Sequence, residues 1–154
     1  MRYGLEITQW KQNFEYLVSQ KWITLNINQT LSGLTIKTVP ELLEYINKLR
    51  IDREIGHYFS TTVMTHQFLH PEIFGPGFFD LDFKNILENM PDITWQQKEA
   101  RKYMQGIHKQ INSKAVDTIK IQQLGIFLTE IDRRRNLNWK ETFPWLAKEI
   151  SNVV

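Results

Sequence analysis

The 154-residue sequence contains no cysteine. Disulfide frameworks, cysteine nucleophiles, zinc ribbons and cysteine-held iron–sulfur clusters are therefore excluded for this chain. Glycine and proline are sparse, at 7 and 5 residues, which excludes collagen-like and low-complexity classes. No apolar run approaches the roughly 20 residues needed to span a bilayer. Met1-Arg2-Tyr3-Gly4-Leu5-Glu6 leads straight into an amphipathic pattern, not into an apolar stretch with a small-residue cleavage site. The cytoplasm is thus the expected compartment, and no membrane partner is expected. Net charge is also small, 19 Lys and Arg against 17 Asp and Glu, for a formal +2. That is too little to argue for nucleic acid. What is present is 42% apolar and 12% aromatic residues, and a chain of roughly this length can bury a single core without covalent staples.

Ile7, Trp10, Phe14, Leu17 and Val18 repeat at helical spacing, which predicts an amphipathic helix over residues 5–20. Ile23, Leu25 and Ile27 then alternate with Thr24, Asn26 and Asn28, a strand with one apolar and one polar face. Thr38 with Glu41 reads as a capping box, Pro40 is tolerated in the first turn, and Leu42, Leu43, Ile46 and Leu49 form the buried stripe of the helix that follows. A second strand is expected over residues 54–64. Residues 66–77 read as an unusually apolar loop, punctuated by Pro71 and by Gly75-Pro76-Gly77. From there the period stays helical. Pro91 ends one helix, Thr94 with Gln97 opens another, and Ile121 to Ile131 mark a third. Pro144 bends or divides the last.

A strand-helix-strand unit favours two parallel strands, so the expected class is α/β with two or three parallel strands and a mostly helical C-terminal half. Two strands alone leave two open edges, whereas parallel sheets are normally wider and covered on both faces. The chain therefore reads as part of a larger sheet, or as a protomer that borrows strands from a copy of itself.

With the elements placed, the residues resemble the C-terminal half of a twitch-type radical S-adenosylmethionine (SAM) protein. The resemblance rests on Asn26-Ile27-Asn28-Gln29-Thr30-Leu31-Ser32 with Leu34-Thr35 and Val39-Pro40-Glu41-Leu42, on His70-Pro71 and on Lys102-Tyr103-Met104. It is closest over Ile131-Asp132-Arg133-Arg134-Arg135-Asn136-Leu137-Asn138-Trp139-Lys140-Glu141-Thr142-Phe143-Pro144. It implies a partial (β/α) barrel-like unit over residues 1–77, a helical extension over 78–154 packed on it within a single domain, and SAM bound across the C-terminal strand ends. The departure is as informative. Three early cysteines hold the family's cluster and this chain has none, so no independent catalysis and no iron–sulfur cluster are expected here. The expected partner is a missing N-terminal half or a second copy. A non-enzymatic, self-associating or partner-binding protein is the alternative.

The resemblance places Asn28 and Thr30 on the cofactor side, nearest the C-terminal end of their strand, where ligands collect in α/β sheets. The competing reading is the solvated side of an edge strand. Ser60 and Thr62 on the second strand have the same status, and with His66 and His70 they are the candidate substrate or pocket residues. His57, His66 and His70 lie close together, but Pro71 argues against a helix carrying two ligands at i and i+4, so no metal site is expected. His70 reads as a loop anchor. Lys98, Arg101, Lys102, Lys109, Lys114 and Lys120 outnumber Glu99 and Asp117, yet Lys98, Arg101, Lys102 and Lys109 lie opposite an apolar stripe, as a solvated helix face does. Nucleic acid is accordingly not an expected partner. Arg133-Arg134-Arg135 suits the end of a helix, with Asp132 as a local partner. Phe74-Gly75-Pro76-Gly77-Phe78-Phe79 reads as a gating loop or a docking surface, and Trp139, Phe143, Trp145 and Leu146 as a clasp onto the core.

Overall fold

The computed structural model describes residues 6–51, 53–60 and 66–153. Seven helices and two strands are present among them: α1 (Ile7–Ser19), β1 (Asn26–Thr30), α2 (Val39–Leu49), β2 (Gly56–Ser60), α3 (Asp80–Asn89), α4 (Trp95–Asn112), α5 (Thr118–Arg135), α6 (Trp139–Thr142) and α7 (Pro144–Val153). β1 and β2 are parallel neighbours, with Asn26 opposite Gly56, Asn28 opposite Tyr58 and Thr30 opposite Ser60. A parallel pair cannot be closed by a tight turn, and α2 makes the crossing. The chain is mixed α/β and mostly helical, as the alternation of period implies.

Local chemistry accounts for most element ends. Thr94 accepts from the Gln97 N–H while Gln97 Oε1 accepts from the Thr94 N–H, a complete capping box. Asp117 caps α5 by accepting from the Lys120 N–H, and Asn138 caps α6 by accepting from the Lys140 N–H. Asn136, with φ 51°, takes the left-handed position that ends α5. Pro144 opens a separate helix. The expected box at Thr38 is absent. A 3-10 turn at Ile36–Thr38 runs directly into α2, Thr38 is already helical, and its hydroxyl donates back to the Thr35 carbonyl (2.9 Å). Both strands start later than their polar and apolar alternation suggests, β2 at Gly56. β1 begins at Asn26, and the expected second-strand residues 61–64 lie outside the described residues.

α2 divides the interior. Leu43 joins the main core, built from Leu31, Ile36, Phe59, Phe74, Phe79, Phe83, Met104, Ile111, Leu124 and Leu146 among others. Ile46 joins a smaller core with Phe14, Val18 and Ile55, onto which Trp10, Leu25 and Ile27 pack. The main core thus draws on both halves of the chain. α1 is held by the smaller core and by Arg53, whose guanidinium donates to the carbonyls of Val18 (3.3 Å), Gln20 (2.8 Å) and Ile23 at the end of that helix.

The phenylalanines of the Phe74–Phe79 segment, read from the sequence as a gating loop or docking surface, form a packed joint, while Pro76 and Gly77 between them are exposed. Phe74 and Phe79 are buried, Phe78 stacks on Phe74 at 4.8 Å, and Trp145 of α7 lies 5.7–6.3 Å from all three rings. Lys37 Nζ sits 5.3–5.5 Å from the rings of Phe78, Phe79 and Trp145 and pairs with Asp82 at 2.9 Å. Gly75 (φ 76°) turns the chain where a Cβ would meet Val116 Cγ2 at 2.5 Å. Phe79→Ala is expected to lower the unfolding free energy by about 3–5 kcal/mol. Ile126→Ala, on the exposed side of α5, is expected to change it by less than about 0.5 kcal/mol. Urea denaturation of the two variants checks this, and equal losses would contradict the assignment of the core.

Candidate functional site

The sheet has two unlike faces. Ile27, Gln29, His57 and Phe59 point towards the helices, with His57 and Phe59 buried. Asn26, Asn28, Thr30 and Tyr58 are exposed on the other face and Ser60 is half-buried there. Period-2 alternation makes this sorting obligatory, and the register sets Asn28 beside Tyr58 and Thr30 beside Ser60. Three of the residues singled out from the sequence, Asn28, Thr30 and Ser60, therefore share one open, uncharged surface. Tyr58 belongs to the same surface and escaped sequence reading. Its signal was the alternation of His57 and Phe59 with Tyr58 and Ser60, which fixes the phase of β2. Thr62 lies outside the described residues.

Beyond the strand ends, Gly33 N–H donates to the Leu69 carbonyl (2.8 Å), so the His66–His70 segment is tied to the exit of β1. Neither histidine bonds to Asn28, Thr30 or Ser60 among the described residues. His66 is exposed, 5.3 Å from the Phe68 ring and 5.5 Å from the Phe127 ring. His70 Nδ1 accepts from the Glu72 N–H (3.4 Å) and so caps the 3-10 turn Pro71–Phe74, which is the loop-anchor role expected of it. No group of three or more His, Asp or Glu side chains among the described residues could hold a metal ion.

His57 is the unusual histidine. Only 7% of it is exposed. Its ring stacks on Phe59 at 4.2 Å, Nε2 lies 2.9 Å from Gln29 Oε1, and Nδ1 is buried with no hydrogen-bond partner. Burial first, and the Arg50 charge second, push its pKa from 6.5 down to about 4. The Arg50 guanidinium is itself fixed on the Ile55 carbonyl (2.9 and 3.1 Å). A cavity of about 30 Å³, room for one water molecule, is lined by His57 together with Arg50, Glu54, Pro91 and Gln97. A wider cleft of about 420 Å³ follows between β2 and α4, where Tyr58, Trp95 and Tyr103 flank Gln96 and Glu99.

The basic residues are mostly committed elsewhere. Arg101 donates to the Met90 carbonyl (3.1 Å) and to that of Leu87, closing α3, and Lys102 pairs with Glu99 (2.8 Å). Arg133 and Arg134 share Glu130, at 2.8 and 2.7 Å, and hold its carboxyl down to about 2. Asp132, expected beside them as a partner, instead accepts the Trp139 N–H and fixes the start of α6. A last polar cluster joins α3 to α4. Asp80 Oδ1 accepts from Asn112 (2.8 Å) and lies 2.7 Å from His108 Nε2, contacts that lower its pKa. No helix among the described residues is long and apolar enough to cross a membrane.

Compared with known proteins, the chain matches no family model, no curated protein and no solved structure. Its chemistry is therefore read from the geometry alone.

The state of His57 has a measurable consequence. The folded chain resists protonation that the unfolded chain accepts, so stability is fully present above pH 6.5 and declines as pH falls towards 4. The loss contributed by this one group is about 3 kcal/mol. His57→Gln is expected to remove that share of the slope when unfolding free energies at pH 7.5 and 4.5 are compared by urea titration. An unchanged slope in the variant would assign the dependence to other groups.

Proposed function

We propose that the chain is the C-terminal portion of a radical-SAM-like protein, with β1 and β2 as neighbouring strands of a partial (β/α) barrel wall. The observation that carries the reading is the one-sided sheet. Helices and apolar residues lie against one face, while the other presents the exposed or half-buried polar side chains of Asn26, Asn28, Thr30, Tyr58 and Ser60, with α4 reaching its Tyr58 edge. An open parallel sheet is covered on both faces, whereas a barrel wall has helices only outside and turns its second face to the lumen. On that face Thr30 and Ser60 offer two hydroxyls at the C-terminal end of the pair, where ligands of parallel α/β sheets bind, and Asn28 and Tyr58 add an amide and a third hydroxyl at its centre.

This donor set fits the neutral and zwitterionic parts of SAM, the ribose hydroxyls and the amino acid group, since amides and hydroxyls both donate and accept. When bound, SAM supplies a reactive sulfonium. The residues of this chain hold and orient it. The cluster that would reduce SAM does not fit here, because the sequence has no cysteine to ligate it, and no reductive step is assigned to this chain.

Isothermal titration of the purified chain with SAM and with S-adenosylhomocysteine tests the reading. Binding in the micromolar to millimolar range is expected, abolished or weakened at least about tenfold by Asn28→Ala, a loss of roughly 1.4 kcal/mol. Ile126→Ala should leave it unchanged. Absence of heat at millimolar ligand, or binding indifferent to Asn28, would overturn it.

A further inference from the structure

The hydrogen-bond phase of the sheet shows which backbone groups β1 leaves open. Gly56 N–H donates to the Leu25 carbonyl (3.0 Å) and Leu31 N–H to the Ser60 carbonyl (2.7 Å). In a parallel ladder alternate residues face the partner strand, so Leu25, Ile27, Gln29 and Leu31 spend their backbone groups on β2. The N–H and C=O groups of Asn26, Asn28 and Thr30 point to the opposite edge. Only the Thr30 carbonyl has a partner there among the described residues, the Thr35 hydroxyl at 3.3 Å. Among the described residues β2 alone pairs with β1 in the sheet; α1 and α2 meet the apolar face of β1 through Ile27, not its outer edge, and β2 is flanked by α4.

Such an edge is normally defended by charge, proline, a bulge or a covering element. Here the stretch from Trp22 to Ile36 holds no charged residue and no proline, and a two-stranded sheet is marginal by itself. The open positions are also symmetric about Asn28. If a second β1 runs antiparallel across the edge, Asn28 faces Asn28 of the second copy and Asn26 faces Thr30 of the second copy. Every outward N–H then meets an outward C=O, with no like charges opposed.

We propose that this edge is a homodimer interface, in which β1 of a second copy pairs antiparallel about a two-fold axis through Asn28 and completes a four-stranded sheet. The interface is isologous, as closed dimers require. Its uncharged strand suits a copy of itself better than a charged partner. Its polar face joins the bare faces of both protomers into one surface. The pairing occupies the edge that a preceding barrel strand would take, so it is a proposal for this chain by itself and not for one joined to an N-terminal half; it does not depend on the ligand proposed above.

Light scattering and sedimentation of the full chain at micromolar concentration are expected to give twice the 18.4 kDa chain mass. Asn28→Pro removes the central outward N–H, which the chain itself does not use, and Asn28→Lys sets like charges across the axis. Both are expected to be monomeric with unchanged far-ultraviolet circular dichroism. Because the chain has no cysteine, Asn28→Cys supplies a sole thiol. Directly opposed, hydrogen-bonded residues have Cα atoms about 5.5 Å apart, within reach of a disulfide, so mild oxidation should yield a covalent dimer. In Thr30→Cys the two thiols would sit four strand positions apart, about 14 Å, and should stay uncrosslinked. A monomeric wild-type chain, a dimer that survives both Asn28→Pro and Asn28→Lys, or crosslinking through Thr30→Cys and not through Asn28→Cys would each overturn the proposal. None of these results bears on SAM titration, so the two proposals fail separately.

Discussion

Two parallel strands lying side by side must be joined by a segment long enough to return to the starting end of the sheet, and that requirement organises this chain. The returning segment, α2, has to pack on the pair it joins. It does so with Leu43 turned to the main core and Ile46 to the smaller one. α1 then has a surface to dock on, and the helices from α3 onwards build against the far side of α2 and against Phe59. Because helices gather on the apolar side of the pair, its other face is left to polar side chains. The candidate site is therefore a by-product of the crossover as much as of the residues displayed there.

Arginine supplies the second recurring device. Arg50, Arg53 and Arg101 each place a guanidinium on main-chain carbonyls: Ile55 before β2, the end of α1, and the end of α3. Helix ends leave carbonyls without partners, and a planar, always charged donor satisfies several at once. Cations used this way are withdrawn from recognition of phosphate. Lys102, Arg133 and Arg134 are likewise paired with acids on their own helices.

The bare face and the open edge of β1 are two faces of one constraint. Side chains of Asn26, Asn28 and Thr30 define the first, and their backbone groups define the second. A neighbouring strand would satisfy the edge without covering the face, so association and ligand binding are compatible on the same five residues. His57 lies behind them in the apolar layer with an unpaired nitrogen. It is held neutral by burial and couples the integrity of the sheet to acidity.

Sequence alone determined the features set by short-range physics. Period 3.6 and period 2 separate helices from strands, the Thr94–Gln97 box and the Asn138 cap mark helix starts, and the alternation around Asn28 fixes which residues share a face. Tertiary structure decided what depends on distant partners. Thr38 lost its cap to a preceding 3-10 turn. The phenylalanine-rich loop became a joint because Trp145 and Lys37, remote in sequence, converge on it. Asp132 was drawn away from the arginines by the Trp139 N–H. His57, one of several histidines in the sequence, became the buried one only when Gln29, Phe59 and Arg50 closed around it. Period and capping are written within a few residues, whereas burial and partnership arise from contacts between segments tens of residues apart.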